Sequence, residues 1–172
     1  RKKDEAIVIV GDLAWPFPIP LVRKKDAWFF NTKEGREEII NRRVGRNELS
    51  TIQTCLAISD AEGEYFVVDH NGDGILEYAS KIFSSPGKKD GLYWPTSPGE
   101  PPSPLGDLIA EAAAEGYKRG ESGEPTPYHG YYYKALTSQG KKARGGAYDY
   151  MAHGHMIGGF GILAWPASYG VT

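Results

Sequence analysis

The patterned part of the chain opens with Ala6-Ile7-Val8-Ile9-Val10, a short apolar run that Gly11-Asp12 breaks. Its β-branched content predicts a strand. Trp15-Pro16-Phe17-Pro18-Ile19-Pro20 then alternates large apolar residues with proline. Three prolines exclude a central strand, so an extended edge segment is expected, with Trp15, Phe17 and Ile19 on one face. A Pro-rich ligand for a partner domain is the alternative. Lys24-Lys25-Asp26 reads as a turn and Ala27-Trp28-Phe29-Phe30 as a returning strand, which makes an N-terminal hairpin over residues 6–30.

The longest helical pattern follows. Asn31 is placed to cap and Glu34 to reach back to it. Ile39, Ile40, Val44, Leu49, Ile52, Leu56 and Tyr65 recur at helical spacing, with Cys55 and Phe66 alongside. A helix over residues 33–67 is predicted, with Gly45 and Gly63 as places for a kink or a break. A helix of that length needs a sheet or a second helix to cover its stripe.

Residues 69–77 form an acidic, glycine-bearing loop, and Ala79 to Phe83 allows one further helical turn. The Pro/Gly/Ser-rich stretch 84–103 holds Tyr93 and Trp94 and reads as an ordered surface loop. Ser103-Pro104 starts a second helix, residues 104–119, with Leu105, Leu108, Ile109 and Ala112 as its stripe. The remainder is β, with antiparallel strands over residues 128–166. Gly158, Gly159 and Gly161 lie in the last of them, where a bulge or a close approach by a helix is expected. The predicted fold is one α+β domain over residues 1–172. A long and a shorter helix pack on a mostly antiparallel sheet.

Composition adds little to this picture and removes some alternatives. The 172 residues carry a net charge of −2, with no global field toward nucleic acid or an anionic membrane. Arg36, Arg42, Arg43 and Arg46 are interspersed with Glu37, Glu38 and Glu48, which reads as a solvated helix face. The one cysteine, Cys55, lies in an apolar stretch and is expected to be a structural thiol. No run approaches the ~18 apolar residues of a membrane span. The chain opens Arg1-Lys2-Lys3-Asp4 without methionine, which reads as a trimmed or mature chain whose signal peptide is gone.

The sharpest motif is Asp69-His70-Asn71-Gly72-Asp73-Gly74-Ile75-Leu76-Glu77. Calcium is a hard ion that takes crowded oxygens. Here Asp69, Asn71 and Asp73 supply side chains, Ile75 a backbone carbonyl, and a glycine makes the sharp turn. The twelfth position is Ser80 rather than a bidentate glutamate, so Glu77 must serve in its place. The alternative is an Asx-rich turn that ends the helix. His153 and His155 are separated by Gly154, which predicts a turn and removes a shared strand face for zinc. Tyr128, His129, Tyr131, Tyr133 and Tyr148 offer a stacking platform for a sugar, peptide or base, with plain packing as the alternative. Nucleophile elbows, phosphate loops and dinucleotide fingerprints are missing.

Several longer segments point to a family. They are Trp15-Pro16-Phe17-Pro18-Ile19-Pro20-Leu21-Val22, Glu37-Glu38-Ile39-Ile40-Asn41-Arg42-Arg43-Val44-Gly45-Arg46-Asn47-Glu48-Leu49 and Asp90-Gly91-Leu92-Tyr93-Trp94-Pro95. Pro127-Tyr128-His129-Gly130-Tyr131-Tyr132 and Gly145-Gly146-Ala147-Tyr148-Asp149-Tyr150 complete the set. Over nearly its whole length the chain resembles the exported bacterial proteins called domain of unknown function 2950. That resemblance implies an export signal, a periplasmic or secreted home, and a further strand or two beyond the equivalent of Thr172. It supplies no catalytic residues.

Residues 69–78 and 156–166 also give a pilin-like or pseudopilin-like element order. The apolar first half-helix of a pilin is missing, and a strand pair precedes the helix. The expected function is a non-catalytic envelope protein with a protein partner and calcium in the acidic loop. A cell-wall or polysaccharide hydrolase, or a small-ligand or peptide sensor using the aromatic strands, is the alternative.

Overall fold

The computed structural model describes residues 4–117 and 125–172. It has one long helix, one shorter helix and several small antiparallel sheets, an α+β fold. The chain forms two compact units, residues 1–49 with 168–172, and residues 50–167.

In the first unit, β1 (Glu5–Ala6), β4 (Leu21–Lys24) and β5 (Ala27–Phe30) make a three-stranded antiparallel sheet, with β4 in the middle. The register pairs Glu5 with Val22 and Leu21 with Phe30. The apolar run expected to be one strand is split. Ile9–Val10 forms β2, which pairs with β3 (Trp15–Pro16) as a separate short hairpin. Trp15 and Phe17 meet edge-on at 6.2 Å, and Phe17 meets Phe30 at 5.9 Å. Helix α1 (Thr32–Phe66) begins as its sequence predicts. The Asn31 Oδ1 accepts the Glu34 amide at 3.4 Å, and its Nδ2 donates to Glu34 Oε2 at 2.8 Å. Gly35 is required here, because a Cβ would lie 2.7 Å from Ile19 Cγ1. About two turns further on, Arg42 donates to the Pro16 carbonyl at 2.6 Å and to Glu38 at 2.7 Å, with its guanidinium 5.3 Å over the Trp15 ring.

In the second unit, the rest of α1 packs under Leu92, Leu105, Tyr133 and Ile162. The buried face of this half is Thr51, Thr54, Ile58, Ala61, Glu62 and Tyr65, whereas the predicted stripe residues Ile52 and Leu56 are both 54% exposed. Periodicity alone mis-phased the stripe because half of the buried positions are polar. They are tolerated because they are bonded. Thr51 Oγ1 accepts from the Tyr133 hydroxyl at 3.2 Å, Thr54 donates to the Ser50 carbonyl at 3.0 Å, and Glu62 Oε2 accepts the Ala79 amide at 2.9 Å. Glu62 is 1% exposed and its Oε1 has no hydrogen-bond partner among the described residues. Burial pushes its carboxyl up to about 7, against the pull of the Ala79 amide. Cys55 is half-buried, and burial raises its thiol.

The 84–103 stretch is tied down at both ends. Asp90 accepts from Lys81 Nζ, the Ser85 amide and the Ser85 hydroxyl, all within 2.7–2.9 Å. These contacts outweigh its partial burial and hold the carboxyl at about 2. Leu92 is fully buried beside Leu105. Helix α2 (Gly106–Ala114) starts two residues later than Ser103-Pro104 predicts, because Ser103 and Pro104 are spent in a turn closed by the Gly106 amide on the Ser103 carbonyl. It ends well before residue 119, with Gly116 at φ +90°; residues 118–119 lie outside the described residues.

β6 (Tyr131–Leu136) pairs antiparallel with β11 (Gly161–Pro166), and β7 (Ser138–Gln139) with β8 (Tyr148–Asp149). β9 (Met151–Ala152) and β10 (His155–Met156) form a hairpin around His153 at φ +53° and Gly154 at φ +90°. Positive φ at both loop residues is the mirror-image turn that matches strand twist. The single strand expected over 156–165 is thus β10 and β11, separated at Gly158. A Cβ there would lie 3.1 Å from the Tyr148 ring and from the Tyr150 carbonyl. The close approach is made by tyrosines, not by a helix.

Candidate functional site

The loop after α1 is organised by its own carboxylates. Asp69 accepts backbone amides from Gly72 at 2.7 Å, Gly74 at 2.9 Å and Asn71 at 3.2 Å. These amides, Gly74 first, hold its carboxyl below the usual range. Asn71 accepts the Asp73 amide, and Asp73 accepts the Ile75 amide. The succession of Asx turns curls the segment so that side chains two apart converge. His70 anchors the curl by stacking on Tyr65 at 4.0 Å and meeting Trp94 edge-on at 5.4 Å. Burial lowers its imidazole pKa.

A remote hairpin completes the arrangement. The Met156 amide donates to Glu77 Oε2 at 3.2 Å, and the Tyr78 amide donates to the Met156 carbonyl at 2.8 Å. β10 is thereby fixed against the loop and carries His155 with it. His155 Nδ1 lies 3.3 Å from Glu77 Oε2 and 3.6 Å from Asp73 Oδ2. That nitrogen is buried and has no hydrogen-bond partner among the described residues. Asp73, Glu77 and His155 offer three ligand atoms, all within 4.8 Å of one another. Asn71 Nδ2 donates to Glu77 Oε1 at 3.2 Å and joins the edge of the group.

Of the five loop positions singled out in the sequence, Asp73 and Glu77 converge and Asn71 touches them. Asp69 turns into the amides of its own loop, and the Ile75 side chain is exposed. His155 joins a site that no linear spacing announces, since Met156 and Glu77 are 79 positions apart. His153 is in the hairpin turn and is no member of the group.

The tyrosines do not form one platform. Tyr128 packs edge-on against Tyr117 at 4.7 Å and, tilted, against His129 at 4.0 Å. His129 sits at φ +48°, with Nε2 3.7 Å from Glu115. A non-glycine residue in this region is strained, and a two-way amide–carbonyl pair between Tyr128 and Tyr131 holds it there. Tyr133 faces α1 through its hydroxyl bond to Thr51. Tyr131 lies opposite Pro166, and Tyr148 lies over Gly158 with Tyr150 at 6.0 Å. Only Tyr128 and Tyr133 share a wall, that of an apolar cavity.

Among the described residues no helix is long and apolar enough to cross a membrane. No curated protein and no solved structure matches the chain. The family model described as "Protein of unknown function (DUF2950)" matches residues 1–172, the whole chain, which therefore belongs to the DUF2950 family.

Proposed function

We propose that this protein is a non-catalytic, exported module of the cell envelope, periplasmic or secreted. In this reading its 69–77 loop holds a structural calcium ion and its surface docks on a protein partner. The observation that carries the cation reading is the convergence of Asp73, Glu77 and His155 within 4.8 Å, with the His155 Nδ1 buried and without a hydrogen bond to any described residue. Two carboxylates brought this close repel, and either a bound cation or a protonated His155 between them relieves it. Asp73 and Glu77, with Asn71 and the Ile75 carbonyl, are the hard oxygens that calcium takes, and His155 is the one borderline donor. Manganese or zinc would gain more from that nitrogen, so the choice of ion is open to direct measurement. A calcium clamp suits an extracytoplasmic protein, where weak calcium sites fill. Large apolar side chains on the surface support the partner: Phe29 and Phe30 in the first unit, Ile52 and Leu56 in the second.

The test is thermal unfolding of metal-stripped protein with calcium, magnesium, manganese or zinc. An ion at about a hundred times its Kd stabilises the folded state by about 2.7 kcal/mol, or about 5–10 °C for a chain of this size. The expected result is a rise specific to calcium that Asp73→Ala abolishes. A rise with zinc alone, or none with any ion, refutes the calcium site.

A further inference from the structure

The second unit contains a cavity of about 520 Å3 between α1, α2 and β6. That volume lies in the range of small-molecule sites, about 300–1,000 Å3. Its walls are Ile58, Leu105, Leu108, Ile109, Tyr128 and Tyr133. The space exists because α2 turns Ala112 and Ala113 toward it, where longer side chains would close it.

The charge around the cavity selects among ligands. Among the described residues no carboxylate lines it. One of its two lysines, Lys81, is neutralised by Asp90 at 2.7 Å, and the other, Lys134, is exposed. Glu111 and Glu115 act on Tyr128 from outside the lining. An ionic group taken into such walls would lose water without a fixed counter-charge, so a neutral ligand is favoured. Ser80, Tyr117 and Tyr128 bring hydroxyls to the lining, and of these Tyr128 stands beside Tyr133. The Tyr133 hydroxyl is engaged by Thr51, whereas the Tyr128 hydroxyl makes no hydrogen bond with any described residue. Burial first, then Glu115 and Glu111, pushes Tyr128 up to about 12, so it stays a donor at neutral pH. Its ring is held by Tyr117 and by the strained turn at His129.

We infer that this cavity binds a small, neutral, mainly apolar molecule that carries a hydrogen-bond acceptor, which the Tyr128 hydroxyl engages. The site is separate from the acidic loop and does not depend on the cation reading.

The experiment is fluorescence titration with Nile red, which is neutral and apolar and carries a carbonyl acceptor, in buffer containing EDTA. Saturable one-to-one binding is expected, displaced by decanol far better than by decanoate or decyltrimethylammonium. Tyr128→Phe should weaken binding about five-fold, the worth of one hydrogen bond. Ala112→Trp should fill the space and weaken binding about ten-fold or more. Val67→Ser, exposed just beyond the end of α1 and outside the lining, should leave it unchanged. If circular dichroism shows that Ala112→Trp does not fold, Ala113→Trp on the same wall takes its place. Binding that does not saturate, that survives the tryptophan, or that falls with Val67→Ser overturns the inference. So does equal displacement by the two ions.

Discussion

Glu62→Gln separates the electrostatics of the core from its packing. Glu62 is 1% exposed, and its folded carboxyl titrates at about 7 against 4.5 in the ordinary state. Folding therefore favours the neutral form. The stability this gives is complete below pH 4.5 and is lost as pH rises through 7, beyond which the buried carboxylate carries its full cost. At 1.36 kcal/mol for each pH unit between the two values, that cost is about 3 kcal/mol. Glutamine keeps the shape and the acceptor for the Ala79 amide but cannot ionise. The difference in stability between variant and parent should therefore grow by about 3 kcal/mol between pH 5 and pH 8, in favour of the variant. Urea unfolding in EDTA at both pH values reads it as a midpoint change of about 1–2 M for a typical m-value. Taking the difference between the two proteins cancels every other titrating group. Parallel pH profiles would refute the reasoning, and would mean that water or a hidden donor reaches Oε1.

Other perturbations test other contacts. Gly35→Ala drives a methyl into Ile19 and should destabilise the first unit by about 1–3 kcal/mol, with partial rescue by Ile19→Ala, measured by urea unfolding. Asp90→Asn removes the acceptor of Lys81 and the Ser85 hydroxyl. It should cost about 1 kcal/mol at pH 7 and less as pH falls below 3.8 toward 2, where the parent carboxyl itself protonates. Gly158→Ala should weaken the contact between Tyr148 and the β10–β11 junction, seen as faster hydrogen exchange at the Gly158 amide, which donates to the Tyr150 carbonyl at 2.9 Å.

The long helix was legible because it announces both its pattern and its cap. Asn31 and Glu34 bond as the sequence implies, and the helix spans Thr32–Phe66 against an expected 33–67. Which face it buries was not legible. Thr51, Thr54 and Glu62 look like surface residues until their partners, which come from Tyr133, Ser50 and Ala79, are placed. The strands suffered from the same dependence. The run 156–165 is apolar enough for one strand, and only Tyr148 and Tyr150, brought up by another hairpin, explain why it breaks at Gly158. In the acidic loop the sequence shows which residues carry oxygen, but not which point inward. Asp69, first in the motif, spends its oxygens on its own backbone, while His155 enters from outside. The pilin-like likeness rests on element order alone.

The bond pair between Met156 and the Glu77-Tyr78 segment has a consequence for portability. A synthetic peptide of residues 69–77 would keep the Asx turns but lose the His155 imidazole, which comes from a distant part of the chain. Bringing the two segments together costs loop-closure entropy that the excised peptide has no packed core to offset. The nine-residue motif therefore carries only part of the Asp73, Glu77 and His155 cluster, and reproducing that cluster on another scaffold requires transplanting the β9–β10 hairpin as well.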